Sequence, residues 1–278
     1  MTKHLTSMLV FTFAACGGSG SSSNPPDAND PTDVKFGDTA LVVVMNPAVN
    51  DANDRTVTAP GPTRAGVTLM TDDGISATTD ASGIAVLAPL TAGARTVTVT
   101  GTEVGGTFTV MMTAGELREL AVASQGASSN VMLNLDYKSD KVTEVSPTMT
   151  ATEVNDALKV SDRVVFFTSG TYTGDIDFSG SRVTLFGEGV LGGRVNITGN
   201  ITISGSNSRI RGTTITGNLT APASGIGLSF SRVNGTTNAT GSDGSFLKNA
   251  LCGSVTITGS GSFALDNTGA PPVAAVCP

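Results

Sequence analysis

What this chain lacks narrows its chemistry. Among 278 residues there is one histidine (His4), no tryptophan, two tyrosines, three cysteines, and only 14% charged side chains. His4 lies in an N-terminal leader, so the rest of the chain has no imidazole to activate a serine or cysteine nucleophile and little to bind zinc with. No glycine-rich loop follows a strand and opens a helix, which leaves nucleotide phosphates without their usual cradle. With Tyr137 and Tyr172 as the only large polar rings, flat platforms for stacking sugars are scarce. The chain carries 16 basic and 23 acidic residues, a balance that argues against nucleic acid as a partner. Residues 163–278 hold seven basic and five acidic side chains, so the acidity lies in the N-terminal half.

No apolar run reaches the ~20 residues of a membrane-spanning helix. The longest, Leu5 to Ala15, follows a charged start at Lys3 and His4 and ends at Ala14-Ala15-Cys16. That is the layout of a cleaved leader. Its end resembles the lipobox of bacterial lipoproteins, although Phe13 stands where leucine is usual. The resemblance implies a signal peptide over 1–15, a lipid (palmitate among its acyl chains) on Cys16, and a cell-envelope address at the outer membrane with the anchor as the membrane partner. Lipidation of Cys16 leaves two cysteines, Cys252 and Cys277, for one disulfide in an oxidising compartment. Residues 16–38, rich in Gly, Ser and Pro, are expected to form a flexible tether with a reach of roughly 25 Å.

Residues 39–140 alternate short apolar runs with turn signals, and strands are expected near 40–45, 66–71, 75–79, 84–90, 95–100, 106–113, 117–123 and 130–137, a β-sandwich spacing. The segments Ala65-Gly66-Val67-Thr68-Leu69, Thr79-Asp80-Ala81-Ser82-Gly83, Leu90-Thr91-Ala92-Gly93 and Thr96-Val97-Thr98-Val99 resemble carboxypeptidase regulatory-like (Cna-B-type) domains, which implies a spacer or binding module. Residues 141–163 are expected to be a linker and a capping helix. There Thr150 and Glu153 form a capping box ahead of Val154, Ala157 and Leu158, so a short helix should cover the N-terminal end of the C-terminal domain.

Residues 164–278 carry an 18-residue repeat. Stacked from 183 without insertion, it aligns Leu185, Ile203, Ala221, Ala239 and Ile257 in one column, Ile197, Ile215, Val233 and Leu251 in another, and Gly199, Gly217, Gly235 and Gly253 in a third. Apolar columns separated by Gly and Asn corners predict a parallel β-helix. The corner glycines are expected to tolerate substitution where φ is negative. The fold class expected is therefore all-β: an N-terminal β-sandwich, one short capping helix and a C-terminal parallel β-helix of about six 18-residue coils. The stretch Val164-Val165-Phe166-Phe167, Gly170-Thr171-Tyr172, Gly174-Asp175-Ile176 and Thr184-Leu185-Phe186-Gly187 looks like the start of pectin-lyase-like β-helices, enzymes that generally use clustered acids.

Few residues offer chemistry. Asp175 and Asp177 flank one inward residue and should point outward together, a weak candidate for a cation site. No other metal site is expected. Arg182, Arg209 and Arg232 recur in Ser-Arg-Val or Ser-Arg-Ile, but in the 18-residue register they do not stack. Thr184, Thr202, Thr220, Asn238 and Thr256 should form an outward column at ~4.8 Å spacing. Such columns resemble the flat faces of ice-binding solenoids, although threonine is also a favourable strand residue. Five Asn-x-Thr triplets, starting at Asn196, Asn200, Asn218, Asn234 and Asn238, are expected to serve as turn chemistry. The reading is a non-enzymatic envelope lipoprotein, monomeric and without cofactor, with a structural, adhesive or partner-binding role toward an envelope protein or glycan. The alternatives are a polysaccharide-binding or polysaccharide-cleaving β-helix and, more remotely, an ice-binding solenoid.

Overall fold

The computed structural model describes residues 34, 36–50, 57–58, 64–137, 141–188 and 195–268, with the backbone alone at 49–50 and 57–58. Residues 1–33, and with them the leader, Cys16 and most of the expected tether, lie outside the described residues. All eight strands expected in the N-terminal half are present. They form two four-stranded sheets. The inner sheet runs Ser128–Tyr137, Leu117–Gln125, Ala40–Met45, Ile84–Leu87, and the outer sheet Ser76–Thr78, Thr68–Thr71, Gly93–Gly101, Val104–Met112. Leu41, Val43, Met45, Leu120 and Val122 of the inner sheet meet Leu69, Val97, Val99 and Phe108 of the outer one in a single core. The outer sheet alternates, with Leu69 and Thr71 buried and Thr68 and Met70 exposed, as a sheet with one wet face must. Ala40–Met45, with the sequence Ala-Leu-Val-Val-Val-Met, does not alternate. All six of its residues are buried, so it is covered on both faces.

The C-terminal half winds through three parallel sheets, a β-helix-like arrangement. In the third sheet Ile201–Ile203, Leu219–Ala221, Thr237–Ala239 and Val255–Ile257 stack at intervals of 18 residues. In the second, Ile197, Ile215, Val233 and Leu251 form the expected interior column, and all are at most 1% exposed. The repeat is not free of insertion, however. Thr184 pairs with Arg209, 25 positions on, and Ile176 with Ile201. Since Phe186 pairs with Arg211 and Asn196 with Thr214, the seven surplus residues lie between Phe186 and Asn196. Leu185 therefore stacks on Ile210, and the place assigned to it belongs to Phe178. Both alignments put an apolar residue inward, which is why apolar pattern alone could not separate them.

A second pattern tracks the true register. Ser161-Asp162, Ser181-Arg182, Ser206-Asn207, Ser224-Gly225, Ser242-Asp243 and Ser260-Gly261 mark the same corner of successive turns, and the second residue of each has φ between 56° and 73°. Its backbone N–H donates to the carbonyl of the next serine in the series, up to Asp243. Asp, Asn and Gly enter this left-handed region most readily, and Arg182 is the exception. At another corner, a Cβ on Gly235 would lie 2.5 Å from the carbonyl oxygen of Gly217, and Gly199, Gly217 and Gly253 are equally confined. The expectation of tolerance there fails: these glycines are required by the closeness of adjacent turns, whatever their φ.

The expected helix spans Ala151–Leu158, with both hydrogen bonds of the Thr150/Glu153 capping box formed. Val154 and Leu158 are buried in the solenoid core. Asn155 donates to the carbonyl of Asp175 and accepts from the amide of Asp177, clipping the helix to the edge strand Ile176–Phe178. Val142–Val145, within the expected linker, is itself a strand that pairs in parallel with Arg163–Phe167. That strand begins the first solenoid sheet, whose far edge is paired with Val49–Asn50 from the N-terminal half.

The first solenoid sheet is also where the two halves meet. Ala40, Val42, Val44, Val86, Leu117, Leu135 and Tyr137 of the inner sheet share a core with Val164, Phe186, Phe230, Leu247 and Leu265. Val34 and Phe36, expected to be tether, join it. Phe36 meets Phe186 edge-on at 4.3 Å between ring centroids. Within this core Arg211, wholly buried, pairs through Nε with the buried Glu119 and lies over Phe186 (4.9 Å) and Phe230 (5.4 Å). The Tyr137 hydroxyl contacts Glu119 Oε2 at 3.3 Å and Ser229 Oγ at 2.7 Å. Around the rim, Asp266 is bridged by Arg64 and, at 2.9 Å, by Lys248, which also reaches the carbonyl of Ser82.

Candidate functional site

Beside the apolar junction the two halves leave a cleft of about 460 Å³, lined by Asp136, Lys141, Asp162, Arg163, Val164, Arg182, Thr184, Asn207 and Arg209. Asp136 comes from the inner sheet, and Lys141 leads into the first solenoid strand. Arg163, Thr184 and Arg209 sit at the starts of successive strands of the first solenoid sheet. Asp162, Arg182 and Asn207 come from the left-handed corner just before it. The 25-residue step is what places Arg182 and Arg209 together here. In the 18-residue register they were expected to lie apart as ordinary surface arginines, and that expectation is corrected. Arg232 sits elsewhere, on the second sheet between Thr214 and Ala250.

Among the described residues, four cations thus line the cleft with two carboxylates. Asp162 accepts from Arg182 through Nε and, at 2.8 Å, through Nη2. These hydrogen bonds, helped by the charges of Arg182 and Lys141 and opposed by slight desolvation, hold the Asp162 carboxyl below its ordinary range and raise Arg182. Asp136 stands 3.7 Å from Arg209, too far for a hydrogen bond. Arg163 donates from Nη1 to Thr143 Oγ1 at 2.7 Å and has no carboxylate partner among the described residues. The Nε–H groups of Arg163 and Arg209 are buried and unpartnered among the described residues. Among the described residues neither guanidinium uses all five of its donors.

The other candidate residues separate. The outward column runs from the half-buried Asp177 through the exposed Thr202, Thr220, Asn238 and Thr256. Thr184 is not part of it: it stacks between Val164 and Arg209 and is 7% exposed. Asp175 and Asp177 do not act as a pair. Asp175 Oδ1 accepts from the amide (2.8 Å) and side chain (3.1 Å) of Asn200, while Asp177 contacts Ser204 Oγ at 3.4 Å. Asp175 heads a corner ladder in which Asn200 accepts from the amide of Asn218, and Asn218 from that of Thr236, the turn chemistry expected of those asparagines. No group of three or more His, Cys, Asp or Glu placed to hold a metal ion occurs among the described residues. Cys252 is disulfide-bonded. Its expected partner, Cys277, lies outside the described residues, as does Cys16.

No family model, curated protein or solved structure matches the chain.

Proposed function

We propose that the protein is a non-enzymatic, lipid-anchored protein of the bacterial cell envelope, whose two halves act as one rigid body with a structural, adhesive or partner-binding role at the outer membrane. In this reading a sandwich of the carboxypeptidase regulatory-like kind is docked on a β-helix of about six coils, as a monomer closed by the Cys252–Cys277 disulfide. The observation that carries the rigid-body reading is the strand Ala40–Met45, buried on both faces, which makes the junction a continuous core and not a hinge. The lipobox-like Ala14-Ala15-Cys16 carries the address. Several acyl chains together hold a protein stably at a membrane, where one gives marginal binding. Membrane fractionation of Cys16→Ser tests the address: the variant should move to the soluble fraction, and complete retention with membranes would refute the anchor. A second reading, saccharide binding without cleavage, is favoured by the cationic cleft between the halves.

A further inference from the structure

We infer that this cleft binds a phosphorylated saccharide, with the phosphate held by Arg163 and Arg209 and the sugar by Asn207, Thr184 and Asp136. The inference rests on the saccharide-binding reading and names the chemistry of its ligand. Among the described residues, a surplus of two positive charges over Asp136 and Asp162 matches a phosphomonoester dianion better than a single carboxylate. Guanidinium forks pair bidentately with phosphate oxygens, and Arg163 and Arg209 stand on one sheet, on either side of the strand that carries Thr184. Arg182 is fixed by Asp162 and defines the wall. The cleft volume of about 460 Å³ exceeds a bare phosphate and lies within the size of small-ligand sites. Val164 gives the sugar an apolar wall, and the neutral polar groups of Thr184 and Asn207 face its hydroxyls.

Isothermal titration calorimetry on the purified full chain tests this, with glucose 6-phosphate, glucose, inorganic phosphate and glucuronate as probes. Glucose 6-phosphate should bind saturably, at least ~10-fold tighter than each of the other three, and more weakly as salt rises. The double variant Arg163→Gln/Arg209→Gln should lose at least ~10-fold in affinity at unchanged melting temperature, because each lost contact is a charge-assisted hydrogen bond. Should the double variant fold poorly, Lys141→Gln, at an exposed position, should still weaken binding several-fold. Arg232→Gln, outside the cleft, should change nothing. Absence of saturable binding, equal affinity for inorganic phosphate or glucuronate, or binding untouched in the cleft variants would overturn the proposal. None of these outcomes bears on the membrane address, which the Cys16→Ser fractionation decides separately.

Discussion

At the scale of single residues, two groups report the packing directly. The chain has only two tyrosines, and burial raises the pKa of both hydroxyls: at Tyr137 desolvation leads, followed by the charge of Glu119, and at Tyr172 desolvation leads. An ordinary tyrosine ionises near pH 10. In the folded state these two keep their protons above that pH while the unfolded chain loses them. Stability from this source is therefore complete below about pH 10 and falls as pH rises further. The phenolate absorbance of Tyr137 should appear only with unfolding, and that of Tyr172 above the ordinary tyrosine range. A reversible titration near pH 10 in the folded protein would contradict the burial. Gly235 is the second reporter. Gly235→Ala sets a methyl group 2.5 Å from the Gly217 carbonyl oxygen and should cost about 1–3 kcal/mol in denaturant unfolding, although its φ is unremarkable. Spacing revealed these glycines, but not why they are there, because the distance between adjacent turns is not a property of any local segment.

At the scale of elements, strands and the helix were legible because each has a local signature: alternation for the outer-sheet strands, Thr150 and Glu153 for the helix. Thr150→Ala removes the side-chain cap and should cost about 0.5–2 kcal/mol by chemical denaturation, with the loss concentrated at the helix and at the strand Ile176–Phe178 that Asn155 clips. Unchanged stability would mean that the helix does not close the end of the solenoid. Register was harder. The interior column Ile197 to Leu251 was read correctly, while Leu185 was stacked on the wrong sheet, since Leu, Ile and Ala look alike to an apolar template. The Ser-Asp, Ser-Arg, Ser-Asn and Ser-Gly doublets, which mark one left-handed corner, held the information needed to find the 25-residue step. That step brings Arg182 and Arg209 into one cleft.

At the scale of the whole molecule, the cleft lies beside the junction of the two halves, and their docking also had a signal. An unbroken run such as Ala-Leu-Val-Val-Val-Met suits a strand covered on both faces, and Phe186 and Leu247, in one outward column of the true register, are apolar where solvent would favour polar groups. The buried partners Glu119 and Arg211 were invisible, since nothing local distinguishes them from surface charges. Their pairing joins residues 92 positions apart across the junction. Removing the Glu119 carboxylate takes a charged partner from the buried Arg211, at about 3–5 kcal/mol. Native-state hydrogen exchange on the wild type and Glu119→Ala tests the single-body account most directly. It should show Ala40–Met45 and Arg209–Arg211 with matched protection, falling together by about that amount in the variant. If the two strands exchange independently, or if the loss stays within one half, the halves are separate domains and the cleft between them is not a fixed site.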